Sequence, residues 1–287
     1  PPPPAIGEDA PRFFDVNLLA DHLDRIAADQ GGNLAAFIST LGLRIRGMLA
    51  DPTLSSVVAR TPPVAFSEWL ADYVGADGAG NGPVAVIDLS LVPSEVVHIV
   101  VAVLGRLVFE SLQRYRRLRE DGRSLPTVMV LEEAHTFVRK GRDDEPSSAS
   151  RLCRETFERI AREGRKFGLG LVLCSQRPSE LSPTILAQCN TFLLHRIVND
   201  SDQDLVRRLV PDNVGGLLGD LPSLPSRQAV MLGWATPIPV LVEMRELPRI
   251  QRPWSEDPDF WAVWTGKSAR EIDWSVVADD WAGGGNK

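Results

Sequence analysis

The chain has 287 residues, of which 44% are hydrophobic and 24% charged, with a net charge of −7 at neutral pH. That length and apolar content suit one large globular domain with extensions and exclude general disorder. The acidic balance excludes nucleic-acid binding over the whole surface, while leaving room for a local basic site such as the lining of a ring pore.

Residues 1–12 are proline-rich and read as an extended linker. Because the sequence opens on Pro1 rather than Met, it is expected to begin inside a longer gene product. Residues 13–83 form a helical region. Leu18, Leu19, His22, Leu23 and Ile26 recur at helical spacing, Gly31 and Gly32 break the run, and Leu34, Phe37, Ile38, Leu41 and Ile45 mark a second helix. Asp51-Pro52 punctuates again. Residues 66–74 form a short amphipathic piece, and residues 75–83 a glycine-rich loop.

At Val84 the period changes. Residues 84–88 are a short apolar run between turn residues, as in a buried strand of a parallel sheet. Pro93 suits the start of the next helix, and Ser94 and Glu95 suit its first turn. That helix is apolar nearly all round to Phe109, which predicts packing on more than one side. Arg114, Arg116, Arg117 and Arg119 close it and balance its dipole. The apolar run over 96–109 is too short and too polar for a bilayer, which takes about 20 apolar residues.

The alternation continues with strands predicted at 127–132, 169–174 and 191–197 and helices at 150–167 and 202–209. It predicts an α/β core over 84–250, a mostly parallel sheet flanked by helices. Residues 228–233 and 238–245 read as a late antiparallel pair. Residues 251–287 are a C-terminal extension holding five of the seven tryptophans, and are expected to wrap over another surface. Cys153, Cys174 and Cys189 have no CxxC spacing and read as reduced thiols of an intracellular, cytoplasmic protein.

Two strand ends carry the chemistry. Four apolar residues, Val128 to Leu131, lead into Glu132-Glu133. Acids at the carboxyl end of such a strand lie in the crevice where open α/β sheets bind ligands. Neighbours on a strand point to opposite sides, so one acid can face a Mg²⁺ with its waters while the other faces an attacking water. The next strand, Leu169 to Cys174, runs into Ser175-Gln176-Arg177-Pro178. If the strands are neighbours, Gln176 can bond both a γ-phosphate oxygen and that water.

Between them, residues 151–166 present Arg151, Arg154, Arg162 and Arg165 on one helix face. These read either as a solvated face with pairs such as Glu158–Arg162 or as an arginine offered to a neighbouring subunit's phosphate. The loop at 139–146, with Lys140 and Arg142, reads as a solvated loop or a DNA-facing one. His135 is expected to pack or couple to the Gln176 strand, since no histidine has metal-ligand spacing.

Together, Val128–His135 with its Glu132-Glu133-Ala134-His135 end, Ile160–Gly168, Ser175–Pro178 and Leu186–Asn190 resemble the HerA-like ATPases of the FtsK–HerA branch of RecA-like P-loop proteins. The Asp88-Leu89-Ser90 strand end and the Trp-rich tail add to it. The resemblance implies a DNA translocase or helicase that couples ATP hydrolysis to movement of duplex DNA, in repair end-processing or phage defence. It implies a homohexamer on double-stranded DNA, with a nuclease or other effector as partner and no membrane anchor. It implies Glu132 as the metal-side acid holding Mg²⁺ through water, Glu133 as catalytic base and Gln176 as γ-phosphate sensor, with Arg162 or Arg165 as the trans-acting arginine. ATP would be bound by Glu132, Glu133 and Gln176 together with a phosphate loop. The departure is that GxxxxGK[ST] occurs nowhere, and Gly266-Lys267 sits in the wrong setting. The chain is therefore expected to be the carboxyl-terminal part of a longer ATPase, its core incomplete at the N-terminus, residues 13–60 matching the family's helical insertion, and inactive alone. A conjugative or secretion-type ATPase, and a non-catalytic ring-assembly module, are the alternatives.

Overall fold

A computed structural model describes residues 14–30, 32–59, 64–74, 83–90, 92–119, 125–141, 148–209, 218–251, 260–267 and 273–281. The linker at 1–12, most of the loop at 139–146 and much of the Trp-rich tail lie outside the described residues. The chain divides into two compact units, one ending at Val242 and the other beginning at Glu243.

The helical region holds α1 (Leu19–Gln30), α2 (Gly32–Ala50), α3 (Pro52–Val58) and α4 (Phe66–Tyr73), with breaks at the glycine pair and at Asp51-Pro52. α1 and α2 form a hairpin in which Arg46 bridges Asp21 at 2.8 Å and Asp24 at 2.6 Å. Bridges this exposed fix register more than they stabilise.

Pro93 caps α5 (Ser94–Leu118), which outruns the apolar stretch that predicts it. At this length α5 is long and apolar enough to cross a membrane by size and composition alone. In the fold it is a core helix. Val97, Val101, Gly105, Phe109 and Leu112 recur every three or four residues and are buried as one stripe. Ile99 and Val103 are exposed, so the helix is packed on one side and not all round.

β1 (Thr127–Leu131) and β2 (Leu169–Leu173) pair in parallel, in register from Thr127↔Leu169 to Leu131↔Leu173. The connection between them carries α6 (Ser148–Glu163) and a 3-10 turn, Gly164–Phe167. A βαβ crossover of this kind is what a parallel pair requires. Gly164 lets the helix end press on the strand, because a Cβ there would lie 2.9 Å from the Leu169 carbonyl oxygen. Gly168, at φ 83°, then reverses the chain into β2.

Phe157, Ile160 and Cys153 of α6 are buried with the α5 stripe and Leu131 and Leu169. A Phe157 side chain removed from water stabilises the core by about 2 kcal/mol on area grounds. Burial on the strands alternates: Met129, Leu131, Leu169 and Leu171 face the helices, whereas Val128, Val130 and Val172 are exposed. An unbroken apolar run predicts two covered faces; among the described residues only one face is covered.

Residues 84–88, predicted as a strand, are extended but join no ladder among the described residues. A cavity of about 220 Å³ is lined both by this segment, through Ala85, Ile87 and Leu89, and by Thr127–Leu131 of β1. A strand needs a paired neighbouring edge, and among the described residues this run has none.

β3 (Thr191–Leu194) pairs antiparallel with β4 (Gln228–Gly233), with β5 (Val240–Glu243) beyond it. β3 does not pair with β2 among the described residues. Past the short helix α7 (Pro183–Leu186), a second apolar cluster of Val206, Leu218, Leu221, Val230 and Leu232 joins this sheet to α8 (Asp200–Leu209). In the second unit, the short helices Phe260–Trp264 and Trp274–Trp281 leave Trp261, Trp264, Trp274 and Trp281 exposed.

Candidate active site

The parallel register brings the two strand ends together. Past the last paired residues, Leu131 and Leu173, the chain makes two turns that are stitched by backbone bonds. Cys174 N–H donates to Leu131 O at 2.9 Å, and Ala134 N–H donates to Cys174 O at 2.9 Å. Farther on, Lys140 N–H donates to Glu180 O at 2.8 Å and Ser182 N–H to Val138 O at 2.8 Å. The turn after β1 and the turn after β2 are thus one hydrogen-bonded unit.

Glu133 lies at the centre of that unit in a left-handed conformation, φ 48° and ψ 44°. An L-residue adopts it at a cost of about 1–2 kcal/mol, and such conformations cluster at functional sites. The kink lets the chain leave the strand at once, so that Ala134–Thr136 forms a 3-10 turn under the end of β2. Glu133 Oε1 accepts a hydrogen bond from Gln176 Nε2 at 2.8 Å, and Oε2 lies 3.3 Å from His135 Nδ1. His135 Nδ1 is also 3.2 Å from Ser175 Oγ.

Glu132 and Glu133 are both exposed. The Glu132 carboxylate is a neighbour of the Cys174 thiol. Burial first, and that carboxylate second, push the thiol up from its ordinary range. Ionising the thiol would place two negative charges side by side. Burial alone pushes Cys153 up to about 12. Spacing rules gave no hint of Cys174 as a neighbour of the acids.

The loop carrying Gln176 is held from behind. Arg177 donates to Glu180 Oε1 at 3.1 Å, and Arg139 pairs with Glu180 Oε2 at 3.1 Å. Asp202, buried in the first turn of α8, accepts the Ser179 N–H at 2.8 Å. Its charge suits the positive end of the helix. Asp202 and Ser179 escaped the sequence reading because a carboxylate bonded to a distant backbone N–H has no sequence spacing.

The arginines lie elsewhere. Arg162 and Arg165 precede β2, whereas Gln176 follows it. Five strand residues separate the two ends, about 16 Å at the rise of a strand. Arg162 Nη1 is 3.9 Å from Glu158 Oε2, and the Arg165 guanidinium stacks over the Trp234 ring at 5.7 Å. Glu158 also accepts the Ser182 hydroxyl at 2.6 Å. Within one chain, therefore, Glu133 and Gln176 come together and neither arginine joins them.

No protein-family model matches the chain. It is similar to the DNA double-strand break repair helicase HerA of Pyrococcus furiosus, 35% identical over 188 residues, 57% of this chain and 33% of the relative. The HerA proteins of Sulfolobus acidocaldarius (30% over 199 residues, 69% of this chain, 38% of the relative) and Saccharolobus solfataricus (30% over 164 residues, 57% and 31%) are similar too. The chain thus spans about a third of the length of these curated relatives. Among solved structures, VirB4 of Thermoanaerobacter pseudethanolicus is 15% identical with a TM-score of 0.47, covering 81% of this chain and 55% of that one. The genome packaging NTPase B204 of Sulfolobus turreted icosahedral virus 2 is 14% identical with a TM-score of 0.37, covering 50% and 60%. With the acid–glutamine strand ends in place and 30–35% identity over these spans, the chain resembles the HerA-like ATPases.

Proposed function

We propose that this chain contributes the acid and sensor half of an ATP-hydrolysing site in a translocase that moves duplex DNA. The observation that carries the reading is the Glu133–Gln176 hydrogen bond at the carboxyl ends of two adjacent parallel strands. Ligands of open α/β sheets bind at that position.

The residues fit Mg²⁺ better than a caged metal. Among the described residues no cluster of three or more His, Cys, Asp or Glu could enclose an ion. Mg²⁺ keeps several waters and takes one or two carboxylates, which Glu132 offers as an exposed acid at the strand end. ATP with Mg²⁺, when bound, supplies a polarised phosphoanhydride. Glu133 orients the attacking water and accepts its proton. Gln176 holds the same water and a terminal phosphate oxygen, since its amide both donates and accepts. Arg162 or Arg165, about a strand length away in its own chain, serves the site of a neighbouring subunit in a homohexamer. The 287 residues contain no GxxxxGK[ST], so they do not themselves supply a phosphate cradle of that kind. The relatives' name as DNA double-strand break repair helicases supports a role in DNA repair, for which a nuclease is the expected partner.

The test is ATP turnover by the full-length protein with and without linear duplex DNA. Turnover that rises on adding DNA supports the reading. Turnover indifferent to DNA would remove the translocase assignment, and none under either condition would remove the ATPase.

A further inference from the structure

Both oxygens of the Glu133 carboxylate are engaged, one by Gln176 and the other by His135. The His135 ring is far less exposed than its partner, at 20% against 51% for the side chains. Its backbone is also fixed. His135 is the middle residue of the Ala134–Thr136 turn, which is pinned at one end by Ala134 N–H to Cys174 O at 2.9 Å. At the other end, His98 Nε2 lies 3.0 Å from Thr136 O. The ring therefore meets Glu133 from a held position.

Chemistry assigns the proton. Nδ1 faces Glu133 Oε2 at 3.3 Å and Ser175 Oγ at 3.2 Å, while Ser175 Oγ already accepts the Arg177 N–H at 3.0 Å. A bare Nδ1 would point its lone pair at a carboxylate. An Nδ1–H instead has two acceptors in front of it, and the partner of a ring nitrogen fixes the tautomer.

We propose that His135 is a positioning residue for Glu133: its Nδ1–H holds carboxylate Oε2 and ties it to Ser175 on the sensor turn. His135 touches no substrate. It removes one rotational freedom from the carboxylate, so that Oε1 alone exchanges Gln176 for the attacking water. This role rests on the ATPase reading. Holding a reacting group in place raises the rate of the chemical step and leaves substrate affinity unchanged.

Three substitutions separate the Nδ1–H from the bulk of the ring. Asparagine sets its amide nitrogen where Nδ1 stands, glutamine sets it near Nε2, and leucine removes the donor. In the full-length protein, His135→Leu and His135→Gln are expected to lower kcat about 10- to 100-fold with KM for ATP within about twofold, while His135→Asn stays within about threefold of the parent. Thermal melts screen each variant for folding. Equal losses in the Asn and Leu variants, or no loss in Leu, would overturn the proposal. A second measurement needs no turnover. A long-range ¹H–¹⁵N spectrum of histidine-labelled protein, with His135 assigned by substitution, should show His135 protonated at Nδ1. A bare Nδ1 overturns the proposal even in an active enzyme. Absence of hydrolysis by the unsubstituted protein overturns the ATPase reading instead, and the spectrum then decides the contact alone.

Discussion

Gln176 Nε2 donates to Glu133 Oε1 across 2.8 Å, although 43 residues of sequence separate the two. The bond exists because β1 and β2 are paired in parallel and both chains turn at the same level. On the proposed reading, the same two atoms, Glu133 Oε1 and Gln176 Nε2, are those that engage an attacking water.

Replacing Gln176 by alanine is expected to lower ATP turnover about 10²-fold, the scale of losing one preorganised polar contact at a reacting centre. Stability should change by less than about 0.5 kcal/mol, because the side chain is exposed. Steady-state kinetics beside urea unfolding checks both. A loss of folding with the loss of turnover would make Gln176 a structural residue.

Glu133 sits at φ 48°, where glycine is free of the penalty that an L-side chain meets. Glu133→Gly is expected to stabilise the protein by up to about 1 kcal/mol while abolishing hydrolysis. Alanine, which keeps the Cβ, should abolish hydrolysis without that gain. Denaturant midpoints of the two variants make the comparison; equal midpoints would mean that the backbone there is unstrained.

Asp202 holds the sensor loop from α8 through the Ser179 N–H. Asp202→Ala leaves a backbone donor without its partner and removes a favourable charge from the helix start, a loss of about 1–3 kcal/mol. Asp202→Asn keeps the acceptor and should recover part of it. Urea unfolding of the three proteins, with turnover measured below the transition, reads both stability and the indirect effect on Gln176.

The strand ends were legible because they depend on local pattern. An apolar run closed by two acids, and another closed by Ser-Gln, mark where buried strands emerge, and the strands run over Thr127–Leu131 and Leu169–Leu173, each one residue shorter than expected. Helix punctuation was equally readable at Gly31-Gly32, Asp51-Pro52 and Pro93. What escaped depends on contacts between distant turns. The Asp202–Ser179 bond, the Cys174–Glu132 contact and the left-handed Glu133 leave no periodicity. His135 was expected to couple to the Gln176 strand, but its second partner, Glu133 itself, was not foreseen. Residues 84–88 have the composition of a strand, yet a ladder needs a neighbouring edge, which composition does not report. Spacing also left Arg162 and Arg165 equivalent; in the fold one lies beside Glu158 and the other stacks on Trp234.

The proposed role of Glu133 is to act on the attacking water and not on nucleotide affinity. It is tested most directly by Glu133→Gln in the full-length protein, with ATP binding and DNA-stimulated hydrolysis measured side by side. The substitution keeps size and hydrogen-bonding capacity but removes the charge that accepts a proton. Binding within about twofold of the parent, with hydrolysis reduced by at least about 10²-fold, is the expected result. Undiminished DNA-stimulated turnover in the variant would contradict the role assigned to Glu133.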